Sequence, residues 1–348
     1  FVAATGRGLA AWEPAWREDL LAGGVPEEAR AVAKGFDPER ALAAAYELAS
    51  PGYGGRQPGS SGAQAAAEWI AGEMAAAGLQ PAGADGGYLV GQPISYTALS
   101  EAPVLAFRHA EAGEALDLPY PEGFREALAG CAGGGEAHGG LVWIPEEFRT
   151  GFDLAGRVVM KPQVHSLAEE AARARQFGAG GLILVASRVD TRTGAAPIPG
   201  DAEDTLPVVL IFEDTWRQVL ALAGLTTRQA LDAPPALLLP VEVDLQVPYT
   251  PVEERMAEHV VGVVPGVRPD ALPLVVIAHY DGVGALPGGP HYPGANKNAA
   301  GVGVMLEAAR RVAGYGRPPE RSIYFLALGA EEMDLSGTRH HLAEPIAG

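Results

Sequence analysis

Two stretches between Pro38 and Leu79, PERALAAAYELAS and SGAQAAAEWIAGEMAAAGLQ, carry apolar residues at helical spacing and are each closed by breakers. In the second, Ala66, Trp69, Ile70 and Met74 share one face, which predicts a helix packed on a core. The PGYGGRQPGS between them reads as a turn. From about residue 97 to 248 the pattern shifts to short β-rich runs, among them GRVVMKP, GGLILVAS and LPVVLIF, with the helical HSLAEEAARARQFG ahead of the second and Gly178 as its stop. That order predicts a βα unit inside a mostly β module. The glycine-rich GCAGGGEAHGG, Gly130 to Gly140, lacks the Gly-Lys-Ser/Thr ending and the strand-to-helix setting of a phosphate loop, and is expected to be a flexible loop.

Beyond residue 249 the runs VVGVVPG, LPLVVIAHYD and RSIYFLALGAEE are continuous apolar strands, the last two with charged residues at their C-terminal ends. An amphipathic helix, AAGVGVMLEAARRVAG, lies between these two. Strand, helix, strand predicts a parallel sheet covered on both faces, where ligands collect outside the carboxyl ends of the strands. The fold class expected is α/β, with a mostly parallel central sheet flanked by helices.

Composition narrows the function classes. With 348 residues, 48% of them hydrophobic, the chain is long enough for two domains. A formal charge of −18 argues against nucleic acid and anionic membrane surfaces, which a protein of this sign repels. The single cysteine, Cys131, excludes an intrachain disulfide and a multi-cysteine zinc site. No apolar run approaches the roughly 20 residues of a spanning helix. The chain starts at Phe1 rather than at methionine, so an upstream piece, with any targeting signal, is expected to have been removed.

The chemistry gathers at two strand ends. His279 and Asp281 stand two apart, so in extended geometry their side chains leave from the same side. A carboxylate beside an imidazole fixes its tautomer and raises its basicity, as it does for metal-bound histidines. Glu331 and Glu332 follow the strand IYFLAL in the same way. Alone, the first pair reads as a surface ion pair and the second as a solvated charge pair. Together, at the ends of two neighbouring strands, they point to a hydrolase in which one carboxylate ligates a metal and its neighbour takes a proton from metal-bound water.

The segments AHYDG, PGANKNAAGVGVMLEAARR and RSIYFLALGAEEMDLSGTRHH resemble, in order, the His-x-Asp, Gly-Ala-Asn-Asp-Asn and Glu-Glu segments of the M28 zinc peptidases. LAGRVVMKP, ARQFGAGGLILV and LPVVLIF resemble the protease-associated domain often inserted in that family. The resemblance implies a zinc-exopeptidase-like domain made of residues 1–96 and 249–348, interrupted by a β-rich insertion at 97–248. It implies His279 as a ligand of one zinc, Asp281 as the residue orienting it, Glu331 as general base and Glu332 as a ligand of the other zinc. The family holds two zinc ions per site and bridges them with an aspartate whose matching position here is Lys297. An ammonium has no lone pair to offer, so one zinc or none is expected. The family's remaining Asp and His ligands are expected beyond Gly348, and His340 and His341 are read as surface residues rather than substitutes. Two functions follow from the resemblance: a zinc-dependent aminopeptidase acting on peptide or protein substrates after export, or a silent relative that binds peptide or protein partners.

Overall fold

The computed structural model describes residues 27–127, 132–149, 151–186, 196–197, 205–268 and 270–345. Cys131 lies outside these residues. Among them the strands form two sheets, one of six strands and one of nine.

The helices predicted near the start form at Pro38–Leu48 and Ser61–Ala76. Asp37 caps the first by accepting from the amides of Glu39 and Arg40, and Ser60 caps the second by accepting from Ala63. Each satisfies a backbone donor that the first turn leaves without a partner. Ala66, Ile70 and Met74 are fully buried and Trp69 is partly so, packed in one cluster with the helix Ala300–Ala313 and with Val260 and Phe325 of the first sheet.

The chain touches the first sheet at Gln80–Pro81, runs through it as β1 (Leu89–Leu99) and leaves for the second, returning briefly as Ala196–Pro197 on the edge of β1. There the principal strands are β2 (Val104–His109), β3 (Gly135–Trp143), β4 (Val158–Pro162), β5 (Gly181–Val185), β6 (Leu206–Ile211) and β7 (Leu237–Val247). β4, the helix Leu167–Gln176 and the parallel β5 make the predicted βα unit, and Gly178 follows the helix with a positive φ of 81°. Trp143 and Trp216, ring centroids 5.3 Å apart, anchor the core on one face of this sheet.

The glycine-rich stretch is not a loop over its second half, because residues 135–143 are a strand paired with both β7 and β4. Its glycines admit a neighbouring backbone: a Cβ on Gly139 would sit 2.2 Å from the carbonyl oxygen of Gly156.

The chain returns through β8 (Tyr249–Val264), whose first residue pairs with Leu99 of β1. It continues into β9 (Leu274–His279), the helix Ala300–Ala313, and β10 (Ile323–Leu328). The strand–helix–strand reading gives the parallel pair β9–β10. The class is α/β as expected, but the sheet is mixed, since β1–β8 and β8–β10 are antiparallel. Apolar runs alone carry no strand direction, which is why the parallel share was overestimated. No helix among the described residues is long and apolar enough to cross a membrane.

Candidate active site

In the β9–β10 register His279 stands opposite Leu328, so both strands end at the same level and their following residues are neighbours. Tyr280 extends the ladder one step by donating its amide to the Leu328 carbonyl at 2.9 Å. The two predicted pairs therefore meet. Asp281, fully buried, places Oδ1 3.3 Å from His279 Nδ1 and accepts the Glu332 amide on Oδ2 at 2.9 Å. One carboxylate thus ties both strand ends and orients the imidazole, leaving Nε2 on the far side of the ring.

Glu331 and Glu332 are turned out of the strand by Ala330, a buried residue with φ 62°. A left-handed alanine costs roughly 1–2 kcal/mol, a strain that the surrounding contacts must offset. Glu331 Oε1 accepts the Thr338 amide in the first turn of the helix Ser336–Ala343. Glu332 is paired with Lys297, whose Nζ lies 2.9 Å from Oε1 and 3.2 Å from Oε2. The Lys297 side chain is 48% exposed, so solvent screens this pair and holds its worth to about 1 kcal/mol or less. Next to it, Asn298 Nδ2 donates to the His279 carbonyl at 3.2 Å.

Burial works against a charged His279, but the hydrogen bond and charge of Asp281, with Glu332 and Glu331 adding, raise its pKa above the usual value. Both glutamates are therefore close enough to act on the imidazole electrostatically. Among the described residues, however, no three His, Cys, Asp or Glu side chains are placed to hold a metal ion together.

Sequence reasoning missed three supports. Asn298 stood one residue beyond the position that drew attention. Arg56, read only as part of a turn, is fully buried beneath the site. His259 is buried within β8: it accepts the Gly329 amide on Nδ1 at 3.2 Å, which makes Nε2 the donor to Gln92 Oε1 at 3.0 Å. His340, expected at the surface, is half-buried and stacks on His259 with ring centroids 5.7 Å apart. An isolated histidine on an apolar strand gives no signal of such partners.

Burial first, then the neighbouring His340 and His341, lower the His259 pKa to about 4. The unfolded chain protonates this histidine near pH 6.5 and the folded chain only near 4, so stability should fall as pH drops across that window. The check is an NMR titration of the His259 ring: protonation above pH 6 would contradict the buried, neutral arrangement.

Residues 259–347 match the family model for Peptidase family M28. Aminopeptidase YwaD of Bacillus subtilis (strain 168) is 46% identical over 74 residues, 20% of this chain and 14% of that protein. An aminopeptidase from Aneurinibacillus sp. strain AM-1 aligns with a TM-score of 0.61 and 20% identity, over 90% of this chain and 67% of that one. BSAP, described as a zinc aminopeptidase from Bacillus subtilis, aligns with a TM-score of 0.57 and 22% identity, over 89% and 65%. At such identities the solved structures speak for the fold, and the chain spans about two-thirds of their length.

Proposed function

We infer, taking residues 259–347 as an M28 peptidase segment, that this chain is a metallopeptidase-type hydrolase that removes N-terminal residues from peptides. The observation that carries the reading is Asp281, which joins His279 to the backbone of Glu332 across two strand ends. A surface ion pair has no need of a buried carboxylate shared in this way.

Zinc is the metal named for one of the solved relatives. His279 Nε2 and Glu332 are donor types that zinc takes and would contribute to its hold, with the solvent-screened ammonium of Lys297 displaced, but among the described residues no third donor joins them. They do not fit a bridged pair, because Lys297 stands where the bridging carboxylate would be and has no lone pair. When bound, the ion would supply a polarised carbonyl and a water of lowered pKa. The chain's own residues do the rest. Asp281 holds the imidazole in one tautomer. Glu331, fixed through Oε1 to the helix amide of Thr338, takes the proton of the attacking water and delivers it to the leaving amine.

Residues 97–248 act in this reading as the inserted protease-associated module bordering the substrate. Burial raises the pKa of Tyr120 of that module, Glu126 adds to this, and so does Tyr292, from the loop that leads to Lys297.

The test is metal content together with hydrolysis of aminoacyl anilides. Purified protein is expected to retain about one zinc per chain, rising to about two in Lys297→Asp with a gain in turnover. A protein that retains no zinc and hydrolyses no anilide, with or without that substitution, would overturn the reading in favour of a partner-binding role.

A further inference from the structure

Arg56 is a fully buried cation whose hydrogen-bond partners among the described residues are backbone carbonyls. Its Nε donates to the Tyr280 carbonyl at 2.6 Å. Its Nη1 donates to the carbonyls of Leu48 and Pro293, the latter at 2.8 Å, and Nη2 to Gly294 at 3.1 Å. The backbone beside it continues the join: Gly282 donates its amide to the Arg56 carbonyl at 3.0 Å and Gly284 to Gly55 at 3.2 Å. The approach is so close that a Cβ on Gly55 would meet the Gly284 oxygen at 2.3 Å.

These acceptors have a pattern. Tyr280 lies between His279 and Asp281, while Pro293 and Gly294 open the segment that delivers Lys297 and Asn298. One guanidinium therefore spans the two loops that carry opposite sides of the site. We propose that Arg56 is the positioning residue of this site, setting the separation of the His279–Asp281 loop from the Lys297–Asn298 loop. The assignment of a catalytic consequence rests on the hydrolase reading above.

Burying a cation is costly, so a tie of purely structural purpose is served as well by apolar packing. A planar fork with five fixed donors reaches carbonyls on three segments at once, which a single ammonium cannot do. The charge has a use as well, since Asp281 is the anion that acts on it. Burial pulls the Arg56 pKa down, and the Asp281 charge opposes that pull. Displacing reacting groups by about 1 Å can cost on the order of 100-fold in rate.

The experiment compares wild type, Arg56→Lys and Arg56→Ala at a temperature where each is folded. Arg56→Ala is expected to lose kcat by about 100-fold with KM changed less than about threefold, and to regain part of it in added guanidinium. The NMR resonance of the His279 Nδ1 proton, on the hydrogen bond to Asp281, is expected to move in both variants. Wild-type kcat and an unmoved His279 resonance in the folded variants would overturn the proposal. Should Arg56→Ala fail to fold, Arg56→Lys decides by the same two measurements. If wild type itself hydrolyses nothing, the peptidase reading fails on its own, and the His279 resonance still decides whether Arg56 positions the site.

Discussion

Glu331→Gln is expected to remove hydrolysis and leave the fold standing. The carboxylate uses Oε1 to accept the Thr338 amide, and a glutamine oxygen accepts the same hydrogen bond in the same volume. What the amide cannot do is take a proton from water. Loss of a positioned general base costs about 10²–10⁴-fold in kcat. The measurement is kcat on an aminoacyl anilide alongside the thermal midpoint. A variant within about threefold of wild type would remove Glu331 from the chemistry. A large drop in midpoint would instead mean that the residue serves the helix Ser336–Ala343.

The second large effect lies in the nine-stranded sheet and concerns stability. Lys161 and Glu170 are both fully buried, with Nζ 2.8 Å from each carboxylate oxygen. Nζ also donates to the Pro162 carbonyl, and Glu170 Oε1 accepts the amides of Val164 and His165 at 3.1 and 3.0 Å. Lys161→Met strands a carboxylate in the core, and breaking a buried pair from one side costs roughly 3–5 kcal/mol. Adding Glu170→Gln keeps an acceptor for the two amides without the charge, so the double variant should recover more than half of the loss. Urea unfolding followed by the fluorescence of Trp143 and Trp216 reads both. A Lys161→Met loss below about 1 kcal/mol would contradict the burial of the pair.

The same pair carries a pH signature of definite sign. Burial opposes ionisation of Glu170, but the Lys161 hydrogen bond and charge, with the amides of His165 and Val164, hold its pKa below the usual value. A carboxylate depressed in the folded state contributes stability above the unfolded pKa of about 4.3 and loses it as pH falls through the lower folded value.

The strands and helices were legible because each has a single strong period. Ala66, Ile70 and Met74 fall on one face by spacing, and they pack on one core. The pairs His279–Asp281 and Glu331–Glu332 were legible because charge at the end of an apolar strand is unusual. Their meeting was inferred from neighbouring strands, and the β9–β10 register supplies it. Direction within the sheet was not legible, since β8 and β9 look alike as apolar runs yet lie oppositely to β10. Gly135, Gly139 and Gly140 misled because the same residue serves a loose loop and a crowded strand. Arg56 was missed for a related reason. Its partners are backbone carbonyls, which every residue has, so nothing in the letters marks them out.

The pairing of Leu99 with Tyr249 brings together the two ends of the segment that carries the nine-stranded sheet, and Ala196–Pro197 from within that segment pairs back onto β1. Those two ends sit a strand spacing apart, about 5 Å. The free energy of holding such neighbours together rises only with the logarithm of the chain between them. A segment rooted in this way can grow or shrink at modest cost, while its exchange for a short turn would strip the Ala196–Pro197 strand from the edge of the first sheet.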